Sequence, residues 1–202
     1  MGQFAFGQSV ARTEDPRLLT GRGNYVNDVN LHHQAHGFVL RSPHPHAKIL
    51  SIDTAEAKAA PGVIAVLTGA DIQAAGLGVT KVNFQHKRAD GSPLYSVPHP
   101  GLVTDRVRFV GDYVAFIVAK TVAQAKDAAE LVMVDYQPLE AITDTASAPE
   151  EGSPAVWDDC PDNISCIIHQ GDKDATDAAF EKADTVIKQR FVINRISANP
   201  ME

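Results

Sequence analysis

The residues best suited to chemistry are two histidines spaced as H-x-H, His44 and His46 in the stretch PHPHA. On a strand, positions two apart share a face, so the pair would supply half of a tetrahedral zinc site. Such a site needs one or two further ligands, and no partner motif accompanies the pair; the nearest acid is Asp53. A turn or an interface is the stronger reading. His32, His33 and His36 lie in a polar arm and read as solvated. Cys160 and Cys166 are not spaced as C-x-x-C and have no second pair, so neither zinc nor an iron–sulfur cluster is supported. Asp158, Asp159 and Asp162 beside them disfavour a thiolate, which argues for free cysteines and against a nucleophile. TGRGNYV has Val26 where a dinucleotide fingerprint needs its third glycine, and GLGVTK lacks the Walker spacing; both read as turns. No G-x-S-x-G elbow exists for a serine triad. The sequon at Asn163 is a chance match where no export signal is present. No catalytic, cofactor-binding or metal-binding residue is assigned.

These residues sit on a chain whose best-patterned part is residues 105–136. Val107 and Phe109 alternate with Arg106 and Arg108, which predicts a half-buried strand, and Gly111-Asp112 predicts a turn. YVAFIVA, residues 113–119, is a continuous apolar, β-branched run and predicts a strand covered on both faces. From Thr121 the period becomes helical: Val122, Ala125, Ala129, Val132 and Met133 share a face, and Thr121 with Gln124 forms a capping box. Residues 131–136 alternate as a further strand, stopped by Pro138.

Before that unit, GFVLRS and AKILSID read as strands separated by Pro43 and Pro45. Asp53 and Glu56 open a short helix closed by Pro61-Gly62, VIAVL is a strand, and Thr68 with Asp71 opens another short helix. Residues 76–101 are irregular, with Asp90-Gly91 as a plausible hairpin turn; a loop of that length is often functional. After Pro138 the chain is acidic and proline-bearing, as in a linker. NISCIIH predicts a strand, residues 172–183 a helix with Ala175, Ala178, Ala179 and Phe180 as its apolar side, and TVIKQRFV a strand. The ending, NRISANPME, reads as cut short.

The 202 residues suffice for one sizeable core. A formal charge of −7 argues against nucleic acid or an anionic membrane as partner. Two cysteines suggest a reducing compartment; neither a signal peptide nor 18 consecutive apolar residues is present, so a cytoplasmic location without membrane insertion is expected.

Several phrases together resemble a known family: RTEDPRLLTGRGNYVNDV, LRSPHPHAKILSID, PGVIAVLTGADI, RVRFVGDYVAFIVAKTVAQAKDAAELVMVDYQPLEAI, GDKDATDAAFEKAD and NPME. In that order they resemble the N-terminal part of the large subunit of the molybdenum hydroxylases, the xanthine dehydrogenase, aldehyde oxidase and aerobic carbon monoxide dehydrogenase family. The resemblance implies an α/β fold of the α+β hammerhead type, a mixed sheet with short helices. Its extent would be an arm over 1–36, the hammerhead over 37–143, a linker over 144–160 and the truncated start of a molybdopterin-binding domain over 161–202. It implies an oxidoreductase that hydroxylates aldehydes or N-heterocycles with water-derived oxygen, or oxidises carbon monoxide. Molybdopterin would lie beyond position 202, with [2Fe-2S] clusters on a small partner subunit and FAD on a medium one, in a dimer of heterotrimers. Family pterin loops and the catalytic glutamate also lie beyond 202, so this chain is expected to be structural and to bind no cofactor itself. One departure is visible: Gly111-Asp112-Tyr113-Val114-Ala115 stands where the family often has Gly-Glu-Pro-Val-Ala. Residues 76–101 and the His44–His46 turn are the expected partner contacts. The alternative is a stand-alone scaffold or interaction module.

Overall fold

The computed structural model describes residue 7 and residues 12–80 and 85–191. Two units divide the chain, residues 35–184 and a smaller one of residues 1–34 with 185–202. In the smaller unit, helix α1 (Asp15–Leu19) starts with proline in its first turn, and a 3-10 turn covers Val26–Asp28. Proline suits that position because the first helical N–H groups have no intrahelical partner.

The larger unit runs β1 (His36–Arg41), β2 (Ala47–Asp53), α2 (Ala55–Ala59), β3 (Val63–Thr68), α3 (Gly69–Ala74), β4 (Val79–Thr80), β5 (His99–Pro100), β6 (Arg106–Val107), β7 (Tyr113–Ala119), α4 (Val122–Glu130), β8 (Met133–Pro138) and α5 (Lys173–Glu181). The strands form sheets of order β1-β7-β3, β6-β2-β8 and β4-β5. Every pairing among them is antiparallel, which corrects the expected mixed sheet. The connections explain it. A parallel neighbour needs a crossover of about a dozen residues or more within one sheet. Here α2 carries the chain from the β2 sheet to the β3 sheet, and α4 carries it back from β7 to β8.

Strand β7 is the centre. Its Ala115, Ile117 and Ala119 pack with Ala125, Ala128 and Ala129 of α4, Ala57 of α2 and Val66 of β3. Alanine on both partners lets the helix lie close to the sheet. Val114 points the other way, into a second cluster with Ala47, Val103 and Val107. The continuous apolar run thus reflects burial on both faces, as its pattern predicts. Thr121 caps α4, its hydroxyl accepting from the Gln124 N–H at 3.2 Å. The reciprocal arm of the box is not made: the Gln124 amide packs on Gly62, where a Cβ would come within 2.3 Å of it. Gly62 adopts φ +81°, a conformation that favours glycine.

Several expected elements differ. The strand predicted through Phe109 stops at Val107. Val107 is fully buried, whereas Phe109 is 50% and Val110 65% exposed, because the chain turns at Gly111 (φ +95°) before alternation can continue. Residues 163–169 pair as single contacts with a hairpin and form no regular strand. Residues 185–191 form no strand either; Val186, Ile187 and Phe191 are exposed, and residue 192 lies outside the described residues. Helix α2 opens at Thr54, with the Asp53 carboxylate accepting from the Ala55 N–H at 2.9 Å. Asp172 does cap α5, accepting from Ala175 N–H at 2.9 Å, but no residue of α5 is buried.

Candidate functional site

The H-x-H pair lies in the turn between β1 and β2, not on a strand. His46 is buried, and its Nδ1 donates to the Glu140 carbonyl at 2.7 Å, since a carbonyl can only accept. Its Nε2 is buried without a partner among the described residues. His44 packs edge-on against Tyr136, ring centroids 4.9 Å apart, and the Ser42 hydroxyl bridges the turn by accepting from the His44 N–H at 3.0 Å. Burial pushes the Tyr136 phenol upward. The two imidazoles therefore tie the turn to the end of β8 and its following residues. No three His, Cys, Asp or Glu side chains converge among the described residues. No reaction step is assigned to these residues.

The acidic stretch after Pro138 is docked by charge. Arg106 pairs with Asp158 through both terminal nitrogens, at 2.9 and 3.2 Å. Arg108 stacks over the Trp157 ring at 3.6 Å, a cation–π contact strengthened by partial burial. Tyr95 donates to Asp159 at 2.6 Å, and Arg88 pairs with Asp162 and donates to the Ile164 carbonyl. Burial and the Asp159 bond raise the Tyr95 phenol to about 12. The Arg88 bond holds the Asp162 carboxyl down at about 2, and Arg106 lowers Asp158. Arg88 belongs to a hairpin in the irregular segment, closed by Leu94 N–H to His86 C=O at 3.0 Å and Arg88 N–H to Ser92 C=O at 2.9 Å, with Gly91 at the turn. Tyr95 and Ser165 exchange two bonds, and Ile167 donates to Lys87.

Cys160 is buried inside this cluster, its sulfur 3.5 Å from Arg88 and 3.4 Å from the Ile164 carbonyl. Sequence spacing gave no sign of that guanidinium. The Asn163 amide donates to Ala148 and Pro154 carbonyls at 2.9 and 3.0 Å and accepts from Val156, so its side chain is a staple and has no free nitrogen for a glycan. A cleft of about 430 Å³ lies between α3 and the residues around β5, walled by Ile72, Leu77, Pro100 and Leu102, with Arg108 and Trp157 at its lining.

One further surface was not foreseen. The turn after β6 is clamped by Asp112, 8% exposed, which accepts from the Arg108 and Tyr113 N–H groups, each at 3.0 Å. Ser42 and the turn exchange two backbone bonds, Ser42 N–H to Asp112 C=O at 2.9 Å and Gly111 N–H to Ser42 C=O at 2.8 Å. The Tyr113 N–H, a donor that proline would lack, is thus taken by Asp112. The acid of the Gly-Asp-Tyr departure holds backbone.

Among the described residues no helix is long and apolar enough to cross a membrane. Residues 20–140 match the family described as aldehyde oxidase and xanthine dehydrogenase, a/b hammerhead domain. The chain is 39% identical to the carbon monoxide dehydrogenase large chain of Afipia carboxidovorans, over 95% of this chain and 24% of that protein. It is 38% identical to the nicotine 6-hydroxylase large subunit of Paenarthrobacter nicotinovorans, over 97% of this chain and 23% of that one. The crystal structure of quinoline 2-oxidoreductase from Pseudomonas putida 86 superposes with a TM-score of 0.62 at 41% identity, covering 75% of this chain and 19% of that one. The chain thus spans about a quarter of the curated relatives it matches. Its matched residues, its antiparallel sheets with short helices and these likenesses agree: the chain belongs to the aldehyde oxidase and xanthine dehydrogenase family, through its a/b hammerhead domain.

Proposed function

We propose that this chain is the scaffolding part of a molybdenum hydroxylase large subunit. The observation that carries the reading is colinear likeness over almost the whole chain to proteins named as large chains or large subunits, combined with buried polar groups that serve structure. In the whole enzyme, molybdopterin would supply the oxidation of a C–H bond or of carbon monoxide, and the protein orients the cofactor and the proton acceptor. Electrons would leave through [2Fe-2S] clusters on a small subunit to FAD on a medium subunit, in a dimer of heterotrimers. In this chain the sheets are braced by α2 and α4, His46 anchors the residues after β8, and the Arg88, Arg106 and Arg108 contacts fix residues 157–167. Residues 161–202 are proposed to lead into the molybdopterin-binding domain, and the cytoplasm is the proposed location.

Purification of the intact native complex, followed by dye-coupled assays with carbon monoxide, aldehydes and N-heterocycles, tests the reading. Reduction of the dye by one substrate class is expected. A complex that contains this chain with no molybdenum and no such activity would overturn it.

A further inference from the structure

The segment after Pro138 and the hairpin at 86–95 are held together by polar contacts and not by a core. Among residues 144–167 only Cys160 is buried, and no residue of the hairpin is. The sheets rest instead on fully buried side chains such as Val107, Val114 and Ile117. Each acid of the segment meets a partner far away in sequence: Asp158 meets Arg106, Asp159 meets Tyr95 and Asp162 meets Arg88. The backbones are tied as well. Tyr95 N–H donates to the Ser165 carbonyl at 2.8 Å, and the Ser165 hydroxyl donates to the Tyr95 carbonyl at 2.7 Å. Ile167 N–H donates to the Lys87 carbonyl at 3.1 Å. Regions with few buried apolar contacts and exposed backbone bonds open at lower free energy than a packed core.

We propose that residues 86–95 and 157–167 form one clasp, a cooperative unit that opens and closes as a whole while both three-stranded sheets stay folded. Neither half holds its shape alone. A two-stranded hairpin is marginal by itself, and here its Arg88 and Tyr95 side chains are spent on the other segment. The fixed side is β6, where Arg106 stands next to fully buried Val107. Opening has two consequences. Cys160, 3% exposed when the clasp is closed, becomes accessible. Trp157, which lines the 430 Å³ cleft beside α3 and stacks with Arg108, leaves the lining, so the cleft loses a wall. The clasp is therefore a movable wall, and its charges set how often it opens. Every contact in it lies within this chain.

Hydrogen exchange of the intact native protein, resolved by peptide mass spectrometry, tests this together with the rate at which N-ethylmaleimide alkylates Cys160. The parent is compared with two variants, one in each half. Asp158→Asn removes a charge paired with Arg106, outside the hairpin. Asp90→Ala removes the carboxylate that accepts from the Ser92 N–H at the hairpin turn, outside the other segment. Asp158→Asn should speed exchange of residues 86–95, and Asp90→Ala should speed alkylation of Cys160, each about two- to fivefold, the scale of one exposed polar contact. Higher ionic strength should speed both segments together. Exchange of β7 and α4 should stay as in the parent. Effects confined to the substituted half overturn the clasp. Protection of both segments equal to that of β7 also overturns it, since they then open only with the whole fold.

Discussion

Replacing Asp112 with alanine should destabilise the chain through two backbone donors at once. The carboxylate accepts from Arg108 N–H and Tyr113 N–H, both at 3.0 Å, and is itself nearly buried. A hydrogen bond to a charged group contributes about 1.5–3 kcal/mol, and a buried donor left unpaired costs about 1–3 kcal/mol. Tyr113 is partly exposed, so water replaces part of its loss. The expected total is about 2–3 kcal/mol, which for a chain of this length lowers the melting temperature by about 4–12 °C. Asp112→Asn keeps one carbonyl acceptor and should lose about half as much. Urea unfolding measures this through a lower midpoint at unchanged slope. Hydrogen exchange localises it: the Arg108 and Tyr113 amides should lose protection while those of α4 keep theirs. If both variants stay within about 0.5 kcal/mol of the parent, the clamp contributes nothing.

Three other outcomes follow from the packing and charge. Ile117→Ala, at a fully buried site on β7, should cost about 2–5 kcal/mol in urea unfolding. Gly69→Ala would set a Cβ 2.3 Å from the Val103 carbonyl oxygen, a backbone atom that cannot swing away, and should cost about 1–3 kcal/mol by the same measurement. Trp157, the only tryptophan, reports by its fluorescence on the docked segment over residues 157–167. Asp162 is held below its unfolded value of 3.8, so its contribution is present above that value and fades as pH falls through about 2. Tyr95 is raised from 10, so its contribution is present below pH 10 and fades as pH rises through about 12. The Trp157 emission should hold between those limits and shift beyond them; a shift centred near neutral pH would contradict the assigned contacts.

Much of the fold was legible because its signals are local. The run at 113–119 announces a doubly covered strand, Thr121 and Thr68 announce helix starts, and Asp90-Gly91 announces the hairpin turn. What escaped depends on partners distant in sequence. Arg106 and Asp158 lie 52 residues apart and Arg88 and Asp162 74 apart, so charges that look solvated in sequence are each other's partners. Residues 163–169 alternate like a strand, but the hairpin offers them only isolated bonds. The antiparallel pairing was hidden for a related reason: helices between strands suggest crossovers, and only the three-dimensional path shows that each helix changes sheets. The structural duties of His46, Asn163 and Asp112 were not legible in residue types and spacing, because each depends on a backbone group that only the folded chain brings within reach.

The central claim is that this chain braces a molybdenum enzyme whose chemistry is carried elsewhere. The most direct test is the metal content of the native protein isolated through this chain, measured by inductively coupled plasma mass spectrometry. Stoichiometric molybdenum, retained when His44, His46, Cys160 and Cys166 are each replaced, is the predicted result. A native protein without molybdenum, or one that loses it on replacing any of those four side chains while remaining folded, would contradict the account.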